Sequence, residues 1–186
     1  VVDAKYDDVP GDVRHEARRA LLNWLGCAIG AAHHETIDRA LAALAPFAGA
    51  PQAAVLGRSE RLDILNAAFL NGVSSHVLDF DDTHEKAIHP SAPVYPALLA
   101  LGEWRNVSGA DFLHAFILGV EVECRLALSV FPEHYDVGWH VTGTAGVFGA
   151  AAAAGKLLGL SAQQMAWALG IAATQSAGLR EMFGSM

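Results

Sequence analysis

The chain has 186 residues, which is long enough for one domain with its own hydrophobic core. Its net charge of −8, without a basic run or aromatic residues interleaved with Lys and Arg, argues against nucleic-acid binding. Hydrophobic residues make up 53% of the chain and charged residues only 17%, so we expect part of the surface to be buried against another domain or subunit.

The two cysteines, Cys27 and Cys124, stand far apart, with no CxxC or Cys/His spacing. They predict buried free thiols in a reducing compartment, which favours a cytoplasmic protein, and they cannot supply the usual thiolate ligands of an iron–sulfur cluster. No signal peptide is visible, and the most apolar long stretch, 142–160, is rich in Ala and Gly and contains Lys156. We therefore predict no membrane span.

Apolar residues recur at helical spacing through most of the chain, and neither a strand pattern nor a repeat is convincing. The predicted fold class is all-α, with seven helices at about 13–29, 37–47, 62–78, 93–104, 108–130, 144–158 and 161–177. Ser108 and Ser161 each begin a capping box, and Pro93 lies in the first turn of its helix. Residues 53–56 form at most a brief extended piece, and the small residues of 146–155 predict close helix packing.

The densest chemistry lies in one motif between the third and fourth predicted helices, His76-Val-Leu-Asp79-Phe-Asp81-Asp82-Thr83-His84-Glu85-Lys86-Ala-Ile-His89-Pro90. It begins at the end of a helix that we expect to be buried and runs into a loop. Acids and imidazoles mixed this closely can hold a small polar substrate and move protons to and from it. We therefore expect the functional site here.

Two histidines stand directly before predicted helices, His89 before 90–93 and His140 before 141–144. The free N–H groups and the positive end of a helix attract carboxylates, and the same field disfavours an imidazolium. We therefore expect His89 to be neutral, as a general base is, and both histidines to converge on one anionic ligand. The alternative is that each histidine only caps or packs, and for His140 taken alone a structural role is favoured.

The acids of the motif have separate expected roles. Asp79, Asp82 and Thr83 can orient a histidine or bind substrate hydroxyl groups. We expect Asp81 to face water instead, because adjacent acids cannot all point inward at low cost. Lys86 can contact a substrate carboxylate or stay solvated with its neighbours.

The pattern from Asp81 to Glu85 also resembles the acidic motif that binds magnesium and diphosphate in isoprenoid enzymes. Those sites need a second acidic cluster on a facing helix, and the sequence has none. A histidine–aspartate phosphohydrolase would need an adjacent His-Asp pair, which is also missing. No metal is therefore predicted.

These motifs together resemble the MmgE/PrpD family, which includes 2-methylcitrate dehydratase and cis-aconitate decarboxylase. The resemblance spans nearly the whole chain in family order and is most specific in Asp-Phe-Asp-Asp-Thr and His-Pro-Ser. The other similar segments are 21–26, 71–72, 119–122, 125–126, 138–144, 172–178 and 184–186. Asn23-Trp24 departs from the Asp-Thr of many members, and we expect this to affect packing rather than chemistry.

The resemblance implies a fragment that holds the N-terminal part of a large helical domain, with a smaller α/β lid domain elsewhere, in a cofactor-free homodimer. By motif match Asp79, Thr83, His89 and His140 correspond to catalytic positions, and we expect Asp82, Lys86 and Gln175 to bind substrate. The implied activity is dehydration of 2-methylcitrate or a similar small tricarboxylate by metal-independent acid–base catalysis. Alternatives are a cis-aconitate-type decarboxylase, an imino-acid epimerase and a non-catalytic helical interaction domain.

Overall fold

The computed structural model describes residues 1–84 and 88–182, and within these ranges it contains eight α-helices and one two-stranded sheet. The helices are α1 (Gly11–Gly30), α2 (Glu35–Leu44), α3 (Ile64–His76), α4 (Ser91–Arg105), α5 (Gly109–Val130), α6 (Glu133–Asp136), α7 (Val141–Leu157) and α8 (Ala162–Thr174). Strands β1 (Ala53–Ala54) and β2 (Arg61–Leu62) pair antiparallel. The all-α fold class is confirmed, and none of the described helices has the length and apolarity to cross a membrane.

All seven predicted helices are present, with ends shifted by a few residues. Helix α6 was missed because four residues are too short to show a helical period, and β2 because two residues cannot show alternation. At Ser161 the capping box is complete, since its hydroxyl and backbone N–H both bond to Gln164. At Ser108 it is only half formed, because the Asp111 carboxylate accepts from the Ser108 hydroxyl rather than from the backbone.

Helices α1, α4 and α5 meet around the buried ring of Tyr95. This ring stacks on Phe116 with centroids 3.7 Å apart and lies 5.4 Å from the ring of Trp24. Its hydroxyl donates to the Ala17 carbonyl at 2.7 Å, which satisfies the one polar atom of the side chain. Trp24 therefore acts in packing, as predicted, while Asn23 donates to the Phe80 carbonyl at 3.3 Å and ties α1 to the acidic motif.

Small residues let α7 approach both α5 and α4 closely, as predicted. A Cβ atom at Gly119 of α5 would stand only 2.7 Å from the Gly149 carbonyl oxygen of α7. A Cβ atom at Gly146 would stand 2.7 Å from the Pro93 ring in the first turn of α4. The beginnings of α4 and α7 are therefore held side by side, and this contact positions the candidate site.

Candidate active site

The acidic motif begins with a reversal of the chain at Asp79. Its backbone N–H donates to the His76 carbonyl at 2.9 Å as α3 ends, and its φ angle of 55° is left-handed. Aspartate adopts this conformation more readily than most residues. The turn leaves the Asp79 side chain 76% exposed and returns Asp81 towards the last turn of α3.

Asp81 is buried between two imidazoles. Its carboxylate is 0% exposed, with Oδ1 2.8 Å from His76 Nδ1 and Oδ2 3.4 Å from His89 Nδ1. The two imidazole rings meet edge to face with centroids 4.6 Å apart. The expectation that Asp81 faces water is wrong, because the turn at Asp79 sends one acid outward and the histidines compensate the burial of the other.

Asp82 caps the beginning of α4. Its Oδ1 accepts from the Ser91 backbone N–H at 3.2 Å, and its Oδ2 accepts from the Ser91 hydroxyl at 2.8 Å. Burial raises the pKa of Asp82 despite these hydrogen bonds. Both carboxylate oxygens of Asp82 therefore bond to Ser91. The contact of Asp82 with substrate stays a prediction.

The two predicted helix-start histidines are linked through α7. The backbone N–H of His89 donates to Thr142 Oγ1, in the first turn of α7, at 3.1 Å. His140 is the residue that caps α7, and its backbone N–H donates to the Gly178 carbonyl at 3.0 Å. His89, which precedes α4, therefore contacts the first turn of α7, the helix that His140 precedes.

A groove of about 710 Å³ opens beside these helix starts, between α3, α4 and α7. Its polar lining residues are His76, His140 and Thr142, and the remaining walls are apolar or glycine. Pockets for small molecules commonly combine such apolar walls with a few placed polar groups. The groove is therefore the candidate substrate site. His89 is not one of its lining residues and adjoins the groove through the ring of His76, 4.6 Å away.

The two histidines have pKa values shifted in opposite directions. Burial opposes ionisation of Asp81, but its contacts with His76 and His89 prevail and lower its pKa to about 2. The Asp81 carboxylate in turn raises the pKa of His89 in spite of burial, whereas burial, with repulsion from His76 and His89, lowers the pKa of His140. The shift in the pKa of His89 is opposite to the one expected from the helix field, because a full carboxylate charge lies beside the ring, whereas a helix end carries only a partial charge.

The remaining predicted site residues lie apart from this cluster or outside the described part of the chain. The Thr83 side chain is exposed. Gln175 is exposed after the end of α8 and donates to Thr174 Oγ1 at 3.2 Å, while its neighbour Ser176 donates to the Thr144 carbonyl of α7 at 2.6 Å. Lys86 and the 184–186 segment fall outside the described residues.

The sequence analysis did not predict a site role for His76 or Asp81. The spacing that joins them, a histidine on the last turn of a helix and an acid five residues later, is visible in the sequence. It pairs them only because the intervening turn at Asp79 has a positive φ angle.

The MmgE/PrpD N-terminal domain model matches residues 1–186. The chain belongs to the MmgE/PrpD family. It is 34% identical over 188 residues to the cis-aconitate decarboxylase-like protein oryM of Aspergillus oryzae, covering 96% of this chain and 39% of that relative. It is 32% identical over 188 residues to the cis-aconitate decarboxylase of Aspergillus terreus, covering 97% and 38%. It is 35% identical over 179 residues to the cis-aconitate decarboxylase of Mus musculus, covering 92% and 36%.

This MmgE/PrpD chain therefore spans less than two-fifths of the length of these relatives. The family contains lyases, and the relatives are named for decarboxylation rather than for the dehydration that we ranked first from the sequence.

Proposed function

We propose that this chain carries the acid–base centre of a lyase that acts on a small di- or tricarboxylate by a cis-aconitate-type decarboxylation. The observation that carries this proposal is the pairing of His89 and His140 at two helix starts joined by the bond from His89 to Thr142. The names of the relatives favour decarboxylation over the dehydration of 2-methylcitrate.

Substrate binding is proposed to use the helix starts beside the groove and the charge of His89. The raised pKa of His89 favours an imidazolium, and the beginning of α7 adds the positive end of a helix. The apolar walls of the groove would strengthen these attractions by excluding water. The exposed Asp79 and Thr83 remain candidates for contacts with a hydroxyl or a second carboxyl group.

His89 is proposed as the proton donor. The bond between a carboxylate carbon and the adjacent carbon breaks, carbon dioxide leaves, and the electron pair that stays behind accepts the His89 proton as a new C–H bond. Asp81 favours the imidazolium before this transfer and orients its ring. The proton replaces carbon dioxide on carbon, so the step is balanced without an oxidant or a reductant.

Dehydration is the second candidate, because the same site offers both an acid and a base. The lowered pKa of His140 leaves its imidazole neutral, so it can remove a proton next to a carboxylate while His89 protonates the departing hydroxyl group. Decarboxylation requires only the donor. The two reactions therefore differ in what they demand of His140.

The deciding experiment uses the full-length protein in deuterated buffer. Cis-aconitate, 2-methylcitrate, citrate and iminodisuccinate are each followed by proton NMR with the wild type and the variants His89→Gln and His140→Gln. The control is His15→Ala, which alters an exposed histidine on α1. Decarboxylation predicts loss of carbon dioxide from cis-aconitate with one deuteron on the new C–H bond, and a loss of at least about 100-fold in kcat for His89→Gln.

The effect on His140→Gln then separates the two candidates. A decarboxylase should lose affinity, seen as a raised KM, with kcat within about 10-fold of wild type, whereas a dehydratase should lose kcat by about 100-fold or more. Turnover that survives in His89→Gln would refute the assigned donor. No reaction or exchange from folded protein on all four substrates would favour the non-catalytic interaction domain.

A cytoplasmic homodimer is the proposed setting of this enzyme. Two free cysteines, one buried and one half-buried, support a reducing compartment. Apolar side chains that lie exposed on α8, including Trp167 at 62% and Ile171 at 65%, support burial against another domain or subunit. Light scattering of the full-length protein would measure the dimer directly.

A further inference from the structure

Four side chains around the acidic motif bring ligand atoms unusually close together. His76, Asp79, Asp81 and His89 each offer one imidazole nitrogen or carboxylate oxygen, and these four atoms all lie within 4.8 Å of one another. His76 is the last residue of α3, whereas Asp79, Asp81 and His89 lie between α3 and α4. The cluster is therefore a product of the fold rather than a run of acids in sequence.

Two buried atoms within this cluster have no hydrogen-bond partner among residues 1–84 and 88–182. Asp81 Oδ2 and His89 Nδ1 face each other at 3.4 Å, yet neither makes a hydrogen bond within this part of the chain. Buried polar atoms are normally satisfied, and an orphaned carboxylate oxygen is costly. A cation between the two groups would satisfy both atoms at once.

The donor set identifies the class of cation. Two imidazoles and two carboxylates suit zinc and its neighbours, whereas magnesium prefers octahedral oxygen ligands and retains its water. Ligand atoms around tetrahedral zinc stand about 3.4 Å apart, and the unpaired atoms Asp81 Oδ2 and His89 Nδ1 lie 3.4 Å apart. The prediction of no metal rested on the lack of a second acidic cluster and of an adjacent His-Asp pair, and this mixed set of four separated residues needs neither.

We propose that His76, Asp79, Asp81 and His89 form a binding site for a divalent ion of the zinc class, and that its occupation inhibits the enzyme. The ion would take up the imidazole of His89 and the carboxylate of Asp81, which the proton-transfer step requires. The inhibitory part of this inference rests on the proposed function, whereas the binding part does not.

Binding is tested first, on the full-length protein treated with a chelator and desalted. Zn²⁺ and Mg²⁺ are titrated by calorimetry, and Co²⁺ is titrated by visible absorption, which reports coordination geometry. We expect saturable binding of one Zn²⁺ per chain, at least about 100-fold tighter than Mg²⁺, and an intense tetrahedral Co²⁺ spectrum. Absence of saturable Zn²⁺ binding would overturn the inference.

Ligand variants locate the ion. Asp81→Asn and Asp79→Asn should each weaken Zn²⁺ binding by at least about 10-fold, whereas His15→Ala on the exposed face of α1 should leave it unchanged. Asp79→Asn keeps the inference testable if Asp81→Asn fails to fold, because the Asp79 side chain is 76% exposed and asparagine tolerates its left-handed backbone. Wild-type affinity in folded Asp79→Asn would refute the site.

Inhibition is tested separately from the assigned reaction. In active wild-type protein, Zn²⁺ should abolish turnover over the concentration range of its binding curve, and a chelator should restore it. Full activity at saturating Zn²⁺ would refute the inhibitory role. If no substrate is turned over, the proposed function fails while the titrations still decide whether the site exists.

Discussion

The Nδ1 atom of His76 lies 2.8 Å from Oδ1 of Asp81, across the turn by which the chain leaves α3. This contact places a buried carboxylate where its second oxygen reaches towards His89. Asp81 is therefore a positioning residue that acts on the proposed proton donor through charge and orientation. Its own oxygens are enclosed and do not face the groove.

Replacing Asp81 with asparagine should disable His89 without changing the shape of the cluster. Without the carboxylate charge, the pKa of His89 loses the contact that raises it, so the imidazolium becomes less populated near neutral pH. We expect kcat to fall by about 10–100-fold, less than in His89→Gln, because the imidazole itself remains. Steady-state kinetics of both variants measure the difference, and equal losses would contradict an indirect role for Asp81.

The pH dependence of kcat should show the proposed donor directly. His89 must be protonated, so activity falls as pH rises through its raised pKa, and this falling limb should move to lower pH in Asp81→Asn. His140 must be neutral only in a dehydratase, and its lowered pKa places the corresponding limb on the acidic side of the ordinary histidine range. A falling limb at the same pH in wild type and Asp81→Asn would count against the assignment.

Helix positions were largely predictable because they depend on local signals. Periodic apolar residues and the serine caps at Ser108 and Ser161 act within a few residues of each helix end. The location of the candidate site follows from the same kind of local signal, since the acidic motif concentrates titratable groups. The contact between the beginnings of α4 and α7 could only be expected, because it depends on how closely Gly146 packs against Pro93.

The direction of each acid and the charge of His89 were not predictable from spacing. Both depend on the left-handed turn at Asp79, a conformation that aspartate adopts only sometimes, and on a contact between Asp81 and a ring eight residues later. The start of a helix can be predicted from sequence. A contact with a carboxylate whose charge outweighs the electric field of that helix cannot. Tertiary contacts thus reversed the electrostatic prediction while leaving the helix prediction intact.

Close packing of α4 against α7 should make Gly146 intolerant of even one methyl group. A Cβ atom there would overlap the Pro93 ring at 2.7 Å, whereas a Cβ atom at Gly26 of α1 would meet nothing within 4 Å. Gly146→Ala should therefore lower the free energy of unfolding by about 1–3 kcal/mol and reduce activity by displacing the helix starts. Gly26→Ala should raise the free energy of unfolding by up to about 1 kcal/mol through helix propensity. Urea denaturation of both variants measures this contrast, and similar effects would contradict the packing argument.

Glu123 of α5 should make the protein less stable as pH rises. Its side chain is fully buried, and neither carboxylate oxygen has a hydrogen-bond partner among the described residues. Burial, together with the charge of Asp82, raises its pKa well above the ordinary value of 4.5. The folded state therefore keeps the proton while the unfolded state releases it above that value. The stability linked to this proton is complete below pH 4.5 and is lost progressively as pH rises towards the folded-state pKa.

Glu123→Gln removes this titration with little change in shape. We expect the variant to match wild type in free energy of unfolding near pH 4 and to exceed it by about 1 kcal/mol or more at pH 8, since one pKa unit corresponds to about 1.4 kcal/mol. Urea denaturation of the full-length protein at pH 4, 6 and 8 gives the comparison, with the exposed Glu133→Gln as the control that should show no such trend. A difference between Glu123→Gln and wild type that does not grow with pH would mean that the pKa of Glu123 is not raised in the folded protein.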